Sequence, residues 1–311
     1  MSAAVGEVTL VADQVYAAPG GYDLLADLYV PHGYAGARPA IIWLHGGGWR
    51  FGNRKLAPDL RRYYAERGYC MVSIDYRRSK QACFPAALED VKTAIRWLRS
   101  VAGRYAVDSA RIALFGASAG GHLAAMAAAS AGLFDGSEHE GYSSDVAAVV
   151  DAYGPSDFLQ MDAHRDPLGR PSDDAESIQS PPGTLSANAE SLESLFLGAP
   201  IETIPDLVRA ANPITYVKPG LPPFLLLHGA SDTAVPLHQS LLLDAALRQA
   251  GCDVELGVIE STGHGFLNYP ALDERTRRMR LTRADGNSEA ITTQIFDFIG
   301  DWFDRRLGLG G

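Results

Sequence analysis

The chain has 311 residues, 47% of them hydrophobic, and a formal net charge of −10. This composition provides a globular core and excludes a disordered or fibrous chain, and the acidic balance argues against nucleic-acid binding. Residues 1–7 lack the basic and apolar regions of a signal peptide, and no apolar run approaches the ~20 residues of a membrane span. The three cysteines form no C-x-x-C pattern, so we expect reduced thiols in a cytoplasmic protein.

In chain order, short apolar runs predict strands, and longer patterns with helical spacing predict helices. Strands are predicted at residues 8–16, 24–30, 39–45, 70–74, 111–115, 146–151, 224–228 and 254–259. Helices are predicted at residues 56–67, 85–99, 121–129, 237–249 and 289–306. Because strands alternate with helices, we expect an α/β fold in one domain of residues 1–311, with a mostly parallel central sheet and helices on both faces.

Two stretches interrupt this alternation. Residues 154–223 are rich in Ser, Pro, Asp and Ala, and such a length without a strand exceeds an ordinary connection. We interpret them as a cap-like insertion with a few short helices that partly covers the site, and residues 180–183 as its least regular part. Residues 273–287 carry five arginines, which we interpret as a solvated loop rather than a binding patch.

The segment GASAG at residues 116–120 lies between a predicted strand and a predicted helix. A serine on so tight a strand-to-helix turn takes strained backbone angles, which requires small residues two positions to either side. The turn lifts the hydroxyl out of the sheet, and the positive end of the helix dipole favours a developing oxyanion. We therefore predict that Ser118 is a nucleophile.

A serine nucleophile needs a base and a carboxylate that orients the base. In a doubly wound sheet both must lie on loops at the C-terminal ends of later strands. His264 follows the strand at 254–259 in a glycine-flanked loop, and Asp232 follows the strand at 224–228. Taken singly, His264 is equally a backbone-bonded turn histidine and Asp232 an Asx-turn. Their order after Ser118 favours a Ser-Asp-His catalytic triad.

The segment HGGGW at residues 45–49 directly follows a predicted central strand. Three glycines allow backbone N–H groups to turn inward without a side chain that blocks the substrate. We expect donors from Gly47 and Gly48 to converge with the N–H of Ala119 in an oxyanion hole. The segment lacks the Lys-Ser/Thr of a phosphate loop and the spacing of a dinucleotide motif, so no cofactor is predicted.

Four aromatic side chains are candidate walls of the substrate pocket, with core packing as the alternative. They are Trp49, Phe158, Phe196 and Phe266, of which we predict Trp49, Phe158 and Phe266 as substrate-binding residues.

Polar residues near these motifs are expected to have structural roles. His122 is predicted to be packed and hydrogen-bonded, and Asp75 and Arg77 are predicted to form an ion pair. Asp157 and the nearby Asp151 could reach the site from the insertion, and a helix N-cap explains Asp157 equally well. His139, Glu140 and His164 do not have metal-ligand spacing and the sequence has no H-E-x-x-H motif, so no metal site is predicted.

These motifs resemble those of α/β-hydrolases of the esterase/lipase superfamily, and the resemblance covers roughly residues 24–303. The hormone-sensitive-lipase-like members usually have an acidic residue before the nucleophile and Asn after the double glycine. Ala117 and His122 stand at those positions here, so the chain is more similar to the bacterial feruloyl and acetyl-xylan esterase group. The resemblance implies the α/β-hydrolase fold and a serine esterase, and it leaves a homodimer open.

We expect a serine carboxylester hydrolase that uses an acyl-enzyme and acts on small to medium or aromatic carboxylic esters, without a cofactor. An amidase of the same fold, such as an arylformamidase or a small peptidase, is the alternative because it uses the same triad. A catalytically silent hydrolase fold that acts as a ligand receptor commonly lacks a triad residue, whereas all three residue types are present here.

Overall fold

One sheet organises the chain across the residues that the computed structural model describes, which are 6–165, 172, 177–180, 184–269, 272 and 275–309. The strands are β1 Val8–Ala17, β2 Leu24–Pro31, β3 Arg38–Leu44, β4 Cys70–Ile74, β5 Val107–Ala117, β6 Ala148–Ala152, β7 Phe224–Gly229, β8 Val254–Ile259, β9 Arg277–Thr282 and β10 Ser288–Thr293. Their spatial order is β1-β2-β4-β3-β5-β6-β7-β8-β9-β10. In this order the six central strands β4, β3, β5, β6, β7 and β8 are mutually parallel, and antiparallel pairs extend the sheet at both ends. The expected mostly parallel sheet is confirmed.

Helices cover both faces of this sheet. The α-helices are α1 Ala86–Ser100, α2 Ala119–Ala129, α3 Leu192–Leu197, α4 Pro205–Ala211, α5 His238–Gln249 and α6 Ile295–Leu307. Strand β3 shows why both faces are needed, because Ile42 and Leu44 pack into the apolar cluster that includes α1, α2 and α5. Ile41 and Trp43 point the other way, into the cluster that includes α6. All four side chains are buried, as expected for a central parallel strand.

The connection between β6 and β7 has the short helices expected of the insertion. Its described part contains α3, α4 and 3₁₀ turns at Phe158–Gln160, Asp162–His164, Ile201–Thr203 and Pro213–Tyr216. An isolated bridge joins Ile178 to His264. Residues 181–183, most of the stretch predicted to be least regular, lie outside the described residues, and the treatment of 154–223 as a cap stays a prediction.

The helix predicted over residues 56–67 is wrong. Only a π-helical turn forms there, at Arg61–Ala65. The carbonyl of Leu56 accepts the indole N–H of Trp43 at 3.0 Å, and Pro58 has no N–H to contribute to a helical ladder. Tertiary hydrogen bonding therefore replaces the regular helix that the sequence pattern favoured.

The loop predicted over residues 273–287 is also wrong where it is described. Strand β9 begins at Arg277 and pairs with β8, so that Met279 lies opposite Ile259 and Leu281 lies opposite Gly257. Met279 and Leu281 are buried, while Arg278 and Arg280 point to solvent. The arginines thus lie on the solvent-exposed face of a strand that pairs with β8 on one side and β10 on the other. Strand β10 follows, so α6 begins at Ile295 rather than at residue 289; residues 273–274 lie outside the described residues.

Asp75 and Arg77 do not pair with each other, contrary to the prediction. Asp75 accepts a hydrogen bond from Arg54, with Nη1 and Oδ2 2.7 Å apart. Arg77 turns to the first half of α1, where its Nη2 lies 2.7 Å from Oδ1 of Asp90. Each charge therefore ties the end of β4 to a different segment, one before the strand and one after it.

The described cysteines form no disulfide bonds, and Cys70 is buried in the core as predicted. Within the described ranges, no helix combines the length and hydrophobicity needed to cross a membrane. Residues 1–5, which belong to the segment assessed for a signal peptide, lie outside the described residues.

Strand β9 supplies a stability test. Replacing Met279 by Ala removes a buried side chain that packs over Gly257, so the free energy of unfolding should fall by about 2–5 kcal/mol. The matched variant Arg280→Ala, one residue along on the exposed side, should change it by no more than about 0.5 kcal/mol. Urea unfolding of the two variants measures both values. Equal and small effects would contradict the assignment of β9.

Candidate active site

Ser118 occupies a tight turn with strained backbone angles. The residue joins the end of β5 to the start of α2 with φ 56° and ψ −120°. A Cβ on Gly120 would lie 2.0 Å from the carbonyl oxygen of Leu44, and one on Gly116 would lie 2.1 Å from the Gly120 oxygen. The turn is tied to the next strand because the Ser118 amide donates to Ala152 at 2.8 Å. The serine is therefore held in a strained conformation by close backbone packing.

Three residues that are far apart in sequence form one hydrogen-bonded chain. His264 Nε2 lies 2.9 Å from Ser118 Oγ, and His264 Nδ1 lies 2.7 Å from Asp232 Oδ2. Asp232 follows β7 and His264 follows β8, at the C-terminal end of the sheet. The structure thus brings together the three residues selected from the sequence. Their catalytic roles stay a prediction.

Asp232 is arranged to remain ionised although it is fully buried. Burial alone would raise its pKa, but the nearby His264 and hydrogen bonds from His228 and His264 outweigh burial and hold the pKa below its usual range. Its Oδ1 also accepts the amides of Ala234 at 2.9 Å and Val235 at 2.8 Å. An ionised carboxylate only accepts hydrogen bonds, so His264 Nδ1 must donate to it. Nε2 is then the free acceptor that faces the serine hydroxyl.

His228 is a member of this site that the sequence interpretation missed. It lies at the end of β7 and is completely buried, with Nε2 2.9 Å from the Val235 carbonyl and 3.4 Å from Asp232 Oδ2. Its Nδ1 lies 2.7 Å from Ser240 Oγ. The carbonyl can only accept, so Nε2 carries a proton and faces both oxygens. The available signal was the spacing of four residues between His228 and Asp232.

The glycines of the 45–49 segment adopt conformations that suit them alone. Gly47 has φ 115° and Gly48 has φ 57°, and a Cβ on Gly47 would lie 2.4 Å from the carbonyl oxygen of Phe51. Both glycines line the same cavity as Ser118. Ala119 is the first residue of α2, so its N–H has no acceptor within the helix. The arrangement suits an oxyanion hole, and that role stays a prediction.

A cavity of about 430 Å³ opens over Ser118 and His264. Its apolar lining includes Trp49, Phe51 and Leu56 from the segment after β3. The segment between β6 and β7 contributes apolar side chains such as Ile178 and Leu192 together with polar and charged groups: Arg165, Ser180, Thr184, Ser191 and Glu193. A substrate in the cavity can therefore meet both apolar surface and hydrogen-bonding groups.

Of the aromatic residues predicted to bind substrate, only Trp49 lines the cavity. Phe158 lies behind it, with ring centroids 5.4 Å apart, and Phe266 packs on Tyr153 at 4.7 Å. Both phenylalanines are buried, and Phe196 stacks on Trp49 at 4.7 Å. Phe158 and Phe266 are thus part of the packing behind the wall, which corrects their predicted role.

His122 has the packed, hydrogen-bonded role predicted for it, and Asp157 has the capping role, one of the two that the sequence left open. His122 Nδ1 accepts the Trp49 indole N–H at 3.2 Å, and its Nε2 donates to the Ala211 carbonyl at 2.7 Å. Burial lowers the pKa of His122 to about 4, so the ring is neutral and serves to orient Trp49. Asp157 caps the turn Phe158–Gln160 by accepting the Leu159 amide at 3.2 Å.

Comparison with known proteins agrees with this fold and geometry. The model of the family described as BD-FAE matches residues 26–247, which is more than half of the chain. The chain belongs to the BD-FAE family.

Relatives of this BD-FAE chain are named esterases. It is 32% identical over 296 residues to "Esterase LipQ" of Mycobacterium tuberculosis, covering 93% of this chain and 62% of the relative. It is 32% identical to "Esterase LipC" of the same organism, covering 73% of this chain and 53% of the relative. The chain thus spans roughly half to two thirds of the length of these curated relatives.

Solved structures of similar proteins cover the BD-FAE chain almost completely. A "truncated form of carbohydrate esterase from gut microbiota" has a TM-score of 0.76 at 26% identity and covers 98% of both chains. The butyrate-bound Est2 esterase of Thermogutta terrifontis has a TM-score of 0.68 at 26% identity, with 98% of this chain and 95% of that chain covered. The fold is the α/β-hydrolase fold.

Asp151, at the end of β6, is the second buried carboxyl near the serine turn of this BD-FAE chain. Its Oδ1 accepts the Gly154 amide at 2.9 Å, and a Cβ on Gly121 would approach the same oxygen to 2.2 Å. Burial raises the pKa of Asp151 to about 7 and outweighs the hydrogen bond from Gly154 and the attraction of His228. The group is therefore partly protonated near neutral pH.

This raised pKa makes stability depend on pH in a defined direction. Between about pH 4 and pH 7 the native state holds a proton that the unfolded chain has released, so the contribution of Asp151 falls as pH rises. In Asp151→Asn the contribution is absent. The stability of the variant relative to wild type should grow across this window by up to about 1.4 kcal/mol per pH unit. Urea unfolding at several pH values measures the stability of both proteins. An equal dependence on pH in wild type and Asp151→Asn would contradict a raised pKa of Asp151.

Proposed function

We propose that the chain hydrolyses carboxylic esters through a covalent acyl-enzyme on Ser118. The hydrogen-bonded chain from Ser118 through His264 to Asp232, at the floor of a cavity, carries this proposal. The relatives are named as esterases, which supports ester hydrolysis as the reaction class. The chain uses its own side chains and backbone for each step described below.

In the first step, the Ser118 oxygen attacks the ester carbonyl carbon, and His264 Nε2 takes the hydroxyl proton. The carbonyl oxygen becomes an oxyanion that accepts hydrogen bonds from the N–H groups of Gly47, Gly48 and Ala119. Asp232 stabilises the imidazolium through Nδ1–H without taking its proton. The tetrahedral intermediate then collapses as the bond to the alcohol oxygen breaks, and His264 returns the proton to that oxygen.

In the second step, a water molecule attacks the acyl carbon while His264 takes its proton. A second oxyanion forms at the same donors, and its collapse breaks the bond to Ser118 Oγ. His264 protonates the serine oxygen, so the acid leaves and the enzyme returns to its starting state. The net reaction consumes one water and yields one acid and one alcohol.

We propose that the substrates are esters of small to medium carboxylic acids, including aromatic acids. A cavity of about 430 Å³ lies within the range of small-molecule sites. Trp49, Phe51 and Leu56 offer an apolar surface for an acyl chain or ring. Structures of the similar Thermogutta esterase are described with butyrate or propionate bound, which supports short acyl chains.

The nucleophile is tested by Ser118→Ala on p-nitrophenyl esters from acetate to decanoate. Turnover should fall by roughly 10⁴ or more, because the acyl-enzyme cannot form. Ser109→Ala, at an exposed position on the same strand, is the matched control and should retain wild-type turnover. Hydrolysis that survives in Ser118→Ala would contradict the proposal. Faster cleavage of a matched anilide than of the ester would instead assign an amidase.

The orienting carboxylate is tested by Asp232→Asn. An amide that donates to Nδ1 favours the tautomer with a proton on Nε2, which cannot accept the serine proton, so kcat should fall by about 10⁴. Asp244→Asn removes a carboxylate that pairs with Arg248 on α5 and serves as the control. Steady-state kinetics together with the melting temperature separate catalysis from folding. A kcat within tenfold of wild type would exclude Asp232 as the orienting acid.

A further inference from the structure

Glu193 is an unusual component of the substrate cavity. It is the second residue of α3, only 9% of its surface is exposed, and it lines the cavity that contains Ser118. A buried carboxyl in a largely apolar cavity is unfavourable unless a charge or hydrogen bond compensates it. The groups that face it therefore decide what the residue does.

Arg165, the cation whose charge acts on Glu193, is already committed to other partners. Arg165 donates through Nε to Asp162 at 3.1 Å and through Nη1 to the carbonyls of Thr233 and Ala234 at 3.1 and 3.2 Å. Its Nη2 donates to Ser186 at 3.2 Å. Among the described residues, no cationic side chain forms an ion pair with Glu193, and Arg165 acts on it only at longer range.

The remaining neighbours compensate the carboxyl incompletely. Burial raises the pKa of Glu193, and its own backbone amide, Arg165 and the Ser191 hydroxyl oppose this without cancelling it. The Ser191 hydroxyl also donates to the Ser186 carbonyl at 2.7 Å, so its single proton is shared. A carboxylate at the first turn of a helix gains stability from the helix dipole, but that gain does not require burial in a cavity.

We infer that Glu193 accepts a hydrogen bond from a hydroxyl group of the substrate and thereby selects hydroxyl-bearing esters over their unsubstituted analogues. Ser180 and Thr184 also line the cavity, as do the apolar side chains of Trp49, Phe51 and Leu56. A substrate with one apolar and one hydroxylated part would match this mixed lining. A site built around a hydrogen bond disfavours the analogue that lacks the partner, because a buried polar group is left unpaired. This inference rests on the proposed ester hydrolysis.

The test compares kcat/KM for three esters followed by pH-stat titration. Ethyl butyrate is the reference, ethyl 3-hydroxybutyrate adds a hydroxyl to the acyl part, and 2-hydroxyethyl butyrate adds one to the alcohol part. The readout is the ratio of each hydroxylated ester to ethyl butyrate. Because it is a ratio within one preparation, it does not depend on the fraction of folded or active enzyme.

We expect wild type to prefer one of the two hydroxylated esters. Glu193→Leu should lower that ratio by about tenfold or more, as for a lost buried hydrogen bond to a charged group. Glu193→Gln should retain most of the preference, because its amide oxygen accepts the same hydrogen bond at nearly the same position. Glu190→Leu, the same substitution at an exposed position outside the cavity lining, should leave the ratio in place.

Two results would overturn the inference while ester hydrolysis stands. One is the same ratio in wild type, Glu193→Gln and Glu193→Leu, which would make Glu193 a structural first-turn acid. The other is a preference for the cationic ester 2-(dimethylamino)ethyl butyrate that both variants abolish, with hydroxylated esters unaffected. Absence of turnover on all esters in wild type would instead contradict the proposed function itself.

Discussion

The site depends on the close approach of the serine turn to the end of β3. The Gly120 position leaves no room for a side chain, since a Cβ there would lie 2.0 Å from the Leu44 carbonyl oxygen. Strand β3 ends at Leu44, and the glycine segment begins two residues later. Bringing the start of α2 onto β3 therefore also brings Gly47 and Gly48 beside Ser118. The proposed nucleophile and the proposed oxyanion donors are positioned by one packing contact rather than by two separate features.

Two buried carboxyls at the ends of neighbouring parallel strands have opposite properties. Asp151 lies near the end of β6, opposite Leu226, and Asp232 lies in the loop after β7, yet burial raises the pKa of Asp151 to about 7 whereas that of Asp232 is held low. The difference lies in their partners: Asp151 Oδ1 accepts one amide, while Asp232 accepts two amides and faces His228 and His264. Only Asp232 is thus an ionised acceptor suited to orient a histidine. The same end of the sheet therefore holds two aspartates whose pKa values differ because their partners differ.

Sequence reasoning succeeded where a local constraint leaves few alternatives. The strands from β3 to β8 are buried on both faces, so their apolar runs identify them directly. The tight turn at Ser118 restricts its neighbours to small residues, and the positions of Asp232 and His264 follow from strand order. The prediction failed where tertiary partners decide the structure. Strand β9 has arginines on its exposed face, which obscured the alternation of Met279 and Leu281.

The aromatic residues illustrate a second limit. Trp49 directly follows the glycines at 46–48, and Phe158 follows β6 by a few residues. The sequence pattern does not indicate which of the two rings lines the cavity and which lies behind it. His122 decides this, because its ring accepts the Trp49 indole N–H and is itself anchored to the Ala211 carbonyl. That anchor lies 89 residues away in the chain, beyond any local pattern. His228 is a different case, because its partner Asp232 lies only four residues away and this spacing was a signal available in the sequence.

Hydrogen bonds of Arg165 join the segment between β6 and β7 to the loop after β7 that carries Asp232. The peptide groups after Asp232 are held from two sides: the Ala234 amide donates to Asp232 Oδ1, and the Thr233 and Ala234 carbonyls accept from Arg165. Arg165 in turn is fastened within its own segment by Asp162 and Ser186. Arg165 therefore connects the cavity lining to the loop that carries Asp232, the carboxylate proposed to orient His264. A substitution of Arg165 removes a contact from both the lining and this loop.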